Sequence, residues 1–399
     1  RLTLRGDLRE TGVQGEAFGW TKARGTPGSL DAVLRFQAGR LAGVESLRVE
    51  APGALIRARA AAVRENIPER MEILEARLGQ SRFTGEVRGP QASGGPWGVT
   101  LAGPVLDLSG VLSRQSPAAP AEATPAPETP GPAFDAELRF ERVLLGPERV
   151  MAGLVARARV DALGVVREAR ANGGAGSGAF EIAIAPQGGQ RQLTITAADA
   201  GALLRDFDVL RTLQGGRLSV TGRYASNRPG AMLAGTAEIT DFSVRDPTAL
   251  GKLLQAMTLY GLFEAAAGPG LGFTRLTAPF RLSPGLLELE DARAFSASLG
   301  LTARGRIDRR RETVDVQGTI VPAYFFNSLL GNIPLVGRIF SPEAGGGLFA
   351  ATYRIRGPIA DPIVGVNPLA ALTPGFLRGI FGLAEQGGGG SSPSPATPP

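Results

Sequence analysis

From Phe134 to Glu141 apolar and charged residues take strict turns, with Phe134, Ala136, Leu138 and Phe140 on one side and Asp135, Glu137, Arg139 and Glu141 on the other. A period of two is the signature of a strand with one wet and one dry face. The same alternation returns along the chain. Leu218 and Val220 oppose Arg217, Ser219, Thr221 and Arg223, and Leu233, Ala237 and Ile239 oppose Thr236, Glu238 and Thr240. Leu299, Leu301, Ala303 and Ile307 oppose Thr302, Arg304, Arg306 and Asp308, while Val314, Val316 and Ile320 oppose Thr313, Asp315, Gln317 and Thr319. Phe349, Ala351, Tyr353 and Ile355 follow against Thr352, Arg354 and Arg356. Such a chain folds as sheet, and each strand must hide one face.

The first third repeats the pattern less cleanly, through Val13–Lys22, Ala32–Phe36, Leu47–Val49, Leu55–Ala61, Phe83–Val87 and Val99–Leu112. Residues 69–78 also fit a helix face through Met71, Leu74 and Leu78. Gly215-Gly216, Arg228-Pro229-Gly230, Ser283-Pro284-Gly285 and Gly357-Pro358 read as turns. Connections this short predict a meander of antiparallel neighbours. The 56 glycines and 30 prolines in 399 residues fit many strands and tight turns. Helices are the minority: Ala200–Leu213 with Asp199 as N-cap, Pro247–Ala267 apolar around most of its circumference, and a short one at Pro374–Leu383.

These signals divide the chain into a β-groove segment (1–115), a Pro-rich linker or loop (116–133), a second β-groove region with the helices (134–384) and a Gly/Ser/Pro tail (385–399). About nineteen strands are countable, and open twisted sheets rarely exceed roughly ten without curling or splitting into layers. A self-packed sandwich needs bulky inward residues. Here Ala136, Ala156, Ala158, Gly222, Gly235, Ala237, Ala303 and Gly305 are small. The fold expected is therefore mainly β: a long curled antiparallel sheet forming an open hydrophobic groove, with a few short helices near the carboxyl end. An ordinary sandwich or pair of barrels is the alternative.

Cys and His are both absent, which removes thiolate nucleophiles, imidazole acid–base chemistry and Cys/His metal sites. No metal, cofactor or catalytic residue is expected, and an enzyme is the weakest reading. Asp206 and Asp208, two apart on a helix, point away from each other and suit capping better than a shared proton. The net charge of +6 is carried by Arg on alternating wet faces, with only Lys22 and Lys252 as lysines. The run Arg309-Arg310-Arg311 sits between Asp308 and Glu312 as a charged hairpin tip. No aromatic residues interleave with it, so no nucleic-acid partner is expected.

The candidate lining of the groove is Leu218, Val220, Ile239, Leu299, Leu301, Ile307, Val314, Val316 and Ile320. Their plainer role is core packing. Phe325, Phe326 and Leu329, with Phe376, Leu377, Ile380 and Phe381, are candidates to rest against a membrane.

The run PAYFFNSLLGNIPLVGRIF from Pro322, followed by GGGLFAATYRIRGPIADPIVGVNPLAALTPGFLRGIFG, resembles the carboxyl end of the AsmA-like superfamily. The YhdP-type branch is nearest and TamB is more distant. ALLRDFDVLRTLQGGRLSVTG and DPTALGKLLQAMTLYGLFEA resemble the same region, and GGPWGVTLAGPVLDLSG extends the likeness weakly toward the start. The resemblance implies a periplasmic, envelope-spanning protein anchored in the bacterial inner membrane by an upstream segment. Its implied partners are phospholipids, the inner and outer membranes and other envelope proteins. The implied function is lipid transport for outer-membrane biogenesis, with phospholipid acyl chains shielded in a β-groove. The runner-up is a structural scaffold for outer-membrane protein assembly, in which strand edges pair with client strands.

Overall fold

The computed structural model describes residues 1–15, 18–64, 67–92, 94–115, 131–176, 178–245, 271–296, 299–322 and 351–367. The first part of the chain forms β1 (Leu2–Asp7), β2 (Val13–Gly15), β3 (Trp20–Lys22), β4 (Ser29–Gln37), β5 (Arg40–Ala51) and β6 (Ala54–Arg64). It continues with β7 (Ile67–Leu78), β8 (Ser81–Arg88), β9 (Trp97–Asp107) and helix α1 (Ser109–Gln115). After residue 130 come β10 (Phe134–Gly146), β11 (Arg149–Val160), β12 (Val166–Ala175), β13 (Gly178–Gln187) and β14 (Gln190–Ala197). Helix α2 (Ala200–Asp206) precedes β15 (Leu213–Tyr224), β16 (Leu233–Val244), β17 (Leu271–Ser283) and β18 (Leu286–Phe295). The last strands are β19 (Leu299–Asp308), β20 (Thr313–Pro322), β21 (Ala351–Pro358) and β22 (Ile363–Asn367).

All but β2 and β3 belong to one 20-stranded sheet. Its pairings run from β1 to β4 and then strand by strand to β22, leaving β1 and β22 as open edges among the described residues. The expected long, open, curled β-sheet is what forms. It is not closed into a barrel. Every pairing is antiparallel except β9–β10, which is parallel. This corrects the simple meander, and the physical reason is connectivity: α1 and the residues after it carry the chain from the far end of β9 back to the level where β9 began. Residues 69–78, ambiguous in sequence, lie in β7, where pairing on both sides overrides a weak helical period.

The curl has a local cause. Register shifts interrupt the ladders at Val44/Leu47, Ile73/Ala76, Ala152/Leu154, Thr277/Phe280 and Leu289/Ala292. A bulge bends its strand and increases the twist, so repeated bulges fold the sheet across its width. Extensive close backbone contact is confined to neighbouring strands and to the short helices.

The strand ends form two rims. On the first lie the β5–β6, β7–β8, β10–β11 and β12–β13 turns, with α1 and α2. On the second lie the β11–β12, β13–β14, β15–β16, β17–β18 and β19–β20 turns. The loop 8–28 folds over the first rim. There the Trp20 indole donates to the Pro52 carbonyl at 3.0 Å, and Phe18 stacks on Phe83 with ring centroids 5.2 Å apart. The buried Lys22 ammonium ties this loop together through the carbonyls of Leu8 at 2.7 Å and Thr11 at 2.8 Å.

Two expected elements change length. Asp199 caps α2 as expected, its carboxylate accepting from the Ala202 amide at 2.9 Å, but the helix ends at Asp206 and Leu213 already belongs to β15. The expected strand Val99–Leu112 stops at Asp107, whose carboxylate accepts from the Ser109 amide at 2.9 Å and turns the chain into α1. The segments Pro247–Ala267 and Pro374–Leu383 lie outside the described residues.

Candidate functional site: an apolar trough

Pairing registers align the dry faces into rows that cross the sheet. One row steps through Leu4, Ala32, Leu47, Ala58, Ile73, Gly85 and Leu101. Across the parallel seam it continues through Leu138, Ala156, Ala171, Ile182, Ile195, Val220, Ala237 and Ala278. Each position is apolar or glycine, so the seam leaves the dry face unbroken. A neighbouring row runs Leu276, Ala294, Leu301, Ile320, Ala351.

The expected lining residues fall into two groups on this face. Leu218 pairs with Ile239, and Val220 lies beside them on β15 and β16. Leu301 pairs with Ile320 and Ile307 with Val314 on β19 and β20, while Val316 faces Gly305 and Leu299 faces Pro322. Leu218, Val220, Ile239, Leu299, Val316 and Ile320 are buried; Leu301, Ile307 and Val314 are half-buried. Leu218, Val220, Ile239, Leu299 and Ile320 share one apolar cluster that extends from Ala54 to Tyr353. The membrane-resting candidates Phe325, Phe326, Leu329, Phe376, Leu377, Ile380 and Phe381 lie outside the described residues.

Alternation alone misses part of the lining. In β15 and β16 the phase slips: Leu213 and Phe242 face the dry side out of step with Leu218 and Ile239. The cause is Gly215-Gly216, expected as a turn but sitting inside β15 at φ of +64° and +82°, opposite Asp241 at +56°. A Cβ at Gly216 would lie 2.8 Å from that of Phe242. The slip lets Phe242 stack on Phe273 with centroids 5.2 Å apart and planes 12° from parallel. Tyr353 extends over Gly318, where a Cβ would meet its hydroxyl at 2.8 Å, and donates to the Thr302 carbonyl at 2.6 Å. Burial pushes the Tyr353 phenol well above its ordinary value.

The opposite face is a lattice of ion pairs between directly facing positions. Arg157 meets Glu137 at 3.4 Å, Arg159 meets Asp135 at 3.3 Å, Arg59 meets Glu72 at 2.7 Å and Arg356 meets Asp315 at 3.7 Å, with Arg354 reaching Asp315 diagonally at 3.0 Å. These are exposed and individually weak, yet they make that face unsuited to an apolar ligand. A concavity of about 710 Å³ on it is lined by Thr302, Gln317, Thr352 and Arg354.

Asp206 and Asp208 are perturbed in opposite directions. Burial raises the Asp206 carboxyl, whereas the hydrogen bond from Arg211 holds Asp208 below its usual range. Among the described residues no cluster of acidic side chains could hold a metal, and no helix is long and apolar enough to cross a membrane. Set against protein-family models, curated proteins and solved structures, the chain matches none.

Proposed function

We propose that this chain is an envelope lipid-transfer protein whose trough shields phospholipid acyl chains in passage between the inner and outer membranes. The reading rests on one observation: apolar rows continue from strand to strand across the sheet while its other face is salted with ion pairs. Hydrocarbon leaving water gains about 25 cal/mol per Å² of apolar surface covered. A dry strip continuous over many strands offers that gain along its length. The likeness of the carboxyl-terminal motifs to AsmA-like proteins points the same way.

Native mass spectrometry of the purified chain tests binding directly: phospholipid should co-purify, and a lipid-free β-protein would sink the proposal. Transfer between labelled vesicles tests the lining. Leu301→Asp should slow transfer roughly tenfold, the equivalent of ~1.4 kcal/mol, with the circular dichroism of the sheet retained. Unchanged transfer would place the route elsewhere.

The scaffold reading draws on the edges. Leu2 and Leu4 of edge strand β1 are half exposed on the dry face, at 51% and 46%. A client strand added there would extend the sheet. Crosslinks from β1 to client strands, with no phospholipid bound, would favour it.

A further inference from the structure

The two rims meet at one place. Through the ladders, Ile307, next to Asp308, stands level with Leu287 and Leu282, and thence with Leu233 and Tyr224 at the second-rim end of β15. Asp208 follows α2 at the opposite end, before Leu213. Along β15 those levels are separated by on the order of 36 Å of strand. Yet the Arg309 guanidinium, on the β19–β20 tip, donates to the Asp208 carbonyl at 2.8 Å. The Asp208 carboxylate meanwhile takes Arg211 at 2.7 Å and faces Arg149, from the β10–β11 turn of the first rim, at 3.7 Å. The α2–β15 connector on one rim and the β19–β20 tip on the other therefore meet across the mouth of the curled sheet.

We propose that this junction is a reversible clasp that governs access to the trough. Among the described residues the contact between rims is polar and small: the Arg309 guanidinium donates to the Asp208 main-chain carbonyl and draws the Asp208 carboxylate electrostatically. Asp208 itself sits at φ +57°, a conformation that non-glycine residues rarely hold without cause. Phe207 before it packs on the apolar cluster, but Val209 and Leu210 after it remain 52% and 41% exposed and add little apolar cover to the junction. Among the described residues extensive backbone contact otherwise joins only neighbouring strands, so no second ladder ties the rims together when Arg309 lets go. The identity of what enters rests on the lipid-transfer reading; the clasp does not.

The absence of native cysteine makes the test clean. Spin labels on Val209→Cys and Arg310→Cys, both exposed, report the distance across the mouth in the full chain. That distance should be short and narrow in distribution, and should lengthen in the Arg309→Glu background. A pair on one rim, Val209→Cys with Val150→Cys, should stay unchanged. Access is read separately from the maleimide labelling rate of Ala303→Cys on the dry face, which should rise severalfold with Arg309→Glu. A long distance at the outset, or an unchanged distance or labelling rate in the folded variant, overturns the clasp. Faster labelling with no uptake of phosphatidylethanolamine/phosphatidylglycerol vesicle lipid by either form leaves the clasp standing and removes the lipid reading.

Discussion

Tyr353 shows how a single side chain carries structure that alternation does not announce. Its place on the dry face is plain from Ala351, Tyr353 and Ile355 in step, but its hydroxyl reaching Thr302, two strands away on β19, depends on Gly318 directly opposite it on β20. Because burial raises this phenol, the folded state holds the proton more tightly than the unfolded chain. Its contribution to stability is full below the ordinary tyrosine pKa of about 10 and is lost as pH climbs from there toward the folded value. Thermal melts should therefore fall between pH 9 and 11. Tyr353→Phe should cost about 1 kcal/mol at neutral pH, the net value of one hydrogen bond, and should flatten that alkaline fall. An equally steep fall in the variant would assign it to other groups. Asp208 follows the opposite sign. Held low by Arg211, it stabilises the fold above the usual carboxylate range and loses this as pH drops.

Among elements, the strands were legible wherever one face stays wet, because period two then reflects solvent directly. Boundaries failed where a polar residue switches role. Asp107 ends β9 and turns the chain into α1, yet it reads simply as the next wet position. Gly215-Gly216 reads as a turn because glycine pairs usually serve that purpose; here the same positive φ shifts the phase of a continuous strand. The two glycines separate by substitution. Gly215→Ala meets open space and should cost the left-handed backbone penalty alone, about 1–2 kcal/mol. Gly216→Ala adds a collision with Phe242 and should melt lower. Equal melting temperatures would remove the packing argument. For α2, Asp199→Ala should cost about 1 kcal/mol, the usual loss of an N-cap, visible as faster hydrogen exchange over residues 200–206.

At the level of the whole molecule, composition and strand count pointed to a curled sheet because so many one-sided strands cannot lie flat. Two things were hidden from any local pattern. The parallel seam depends on where a connector ends, and the clasp joins residues 101 apart in sequence through curvature that many small bulges accumulate. Sheets whose backbone ladders join only neighbouring strands approach linear arrays, with stability set largely by nearest-neighbour terms. Hydrogen exchange should be fastest at β1 and β22 and slowest in the interior strands. Uniform protection from edge to edge would contradict this picture.

The seam also bears on how such a molecule changes size. In an antiparallel series, one extra strand would turn everything downstream end for end, so length grows by hairpins, each a step of ~9.6 Å along the sheet. Between β9 and β10 the chain already traverses a full strand length, through the 26 residues from Leu108 to Ala133. That connector is the one point among the described strands where a single strand could be gained or lost while α2 and Arg309 kept their orientation. The protein is a ruler with two graduations, coarse along its hairpins and fine at one joint.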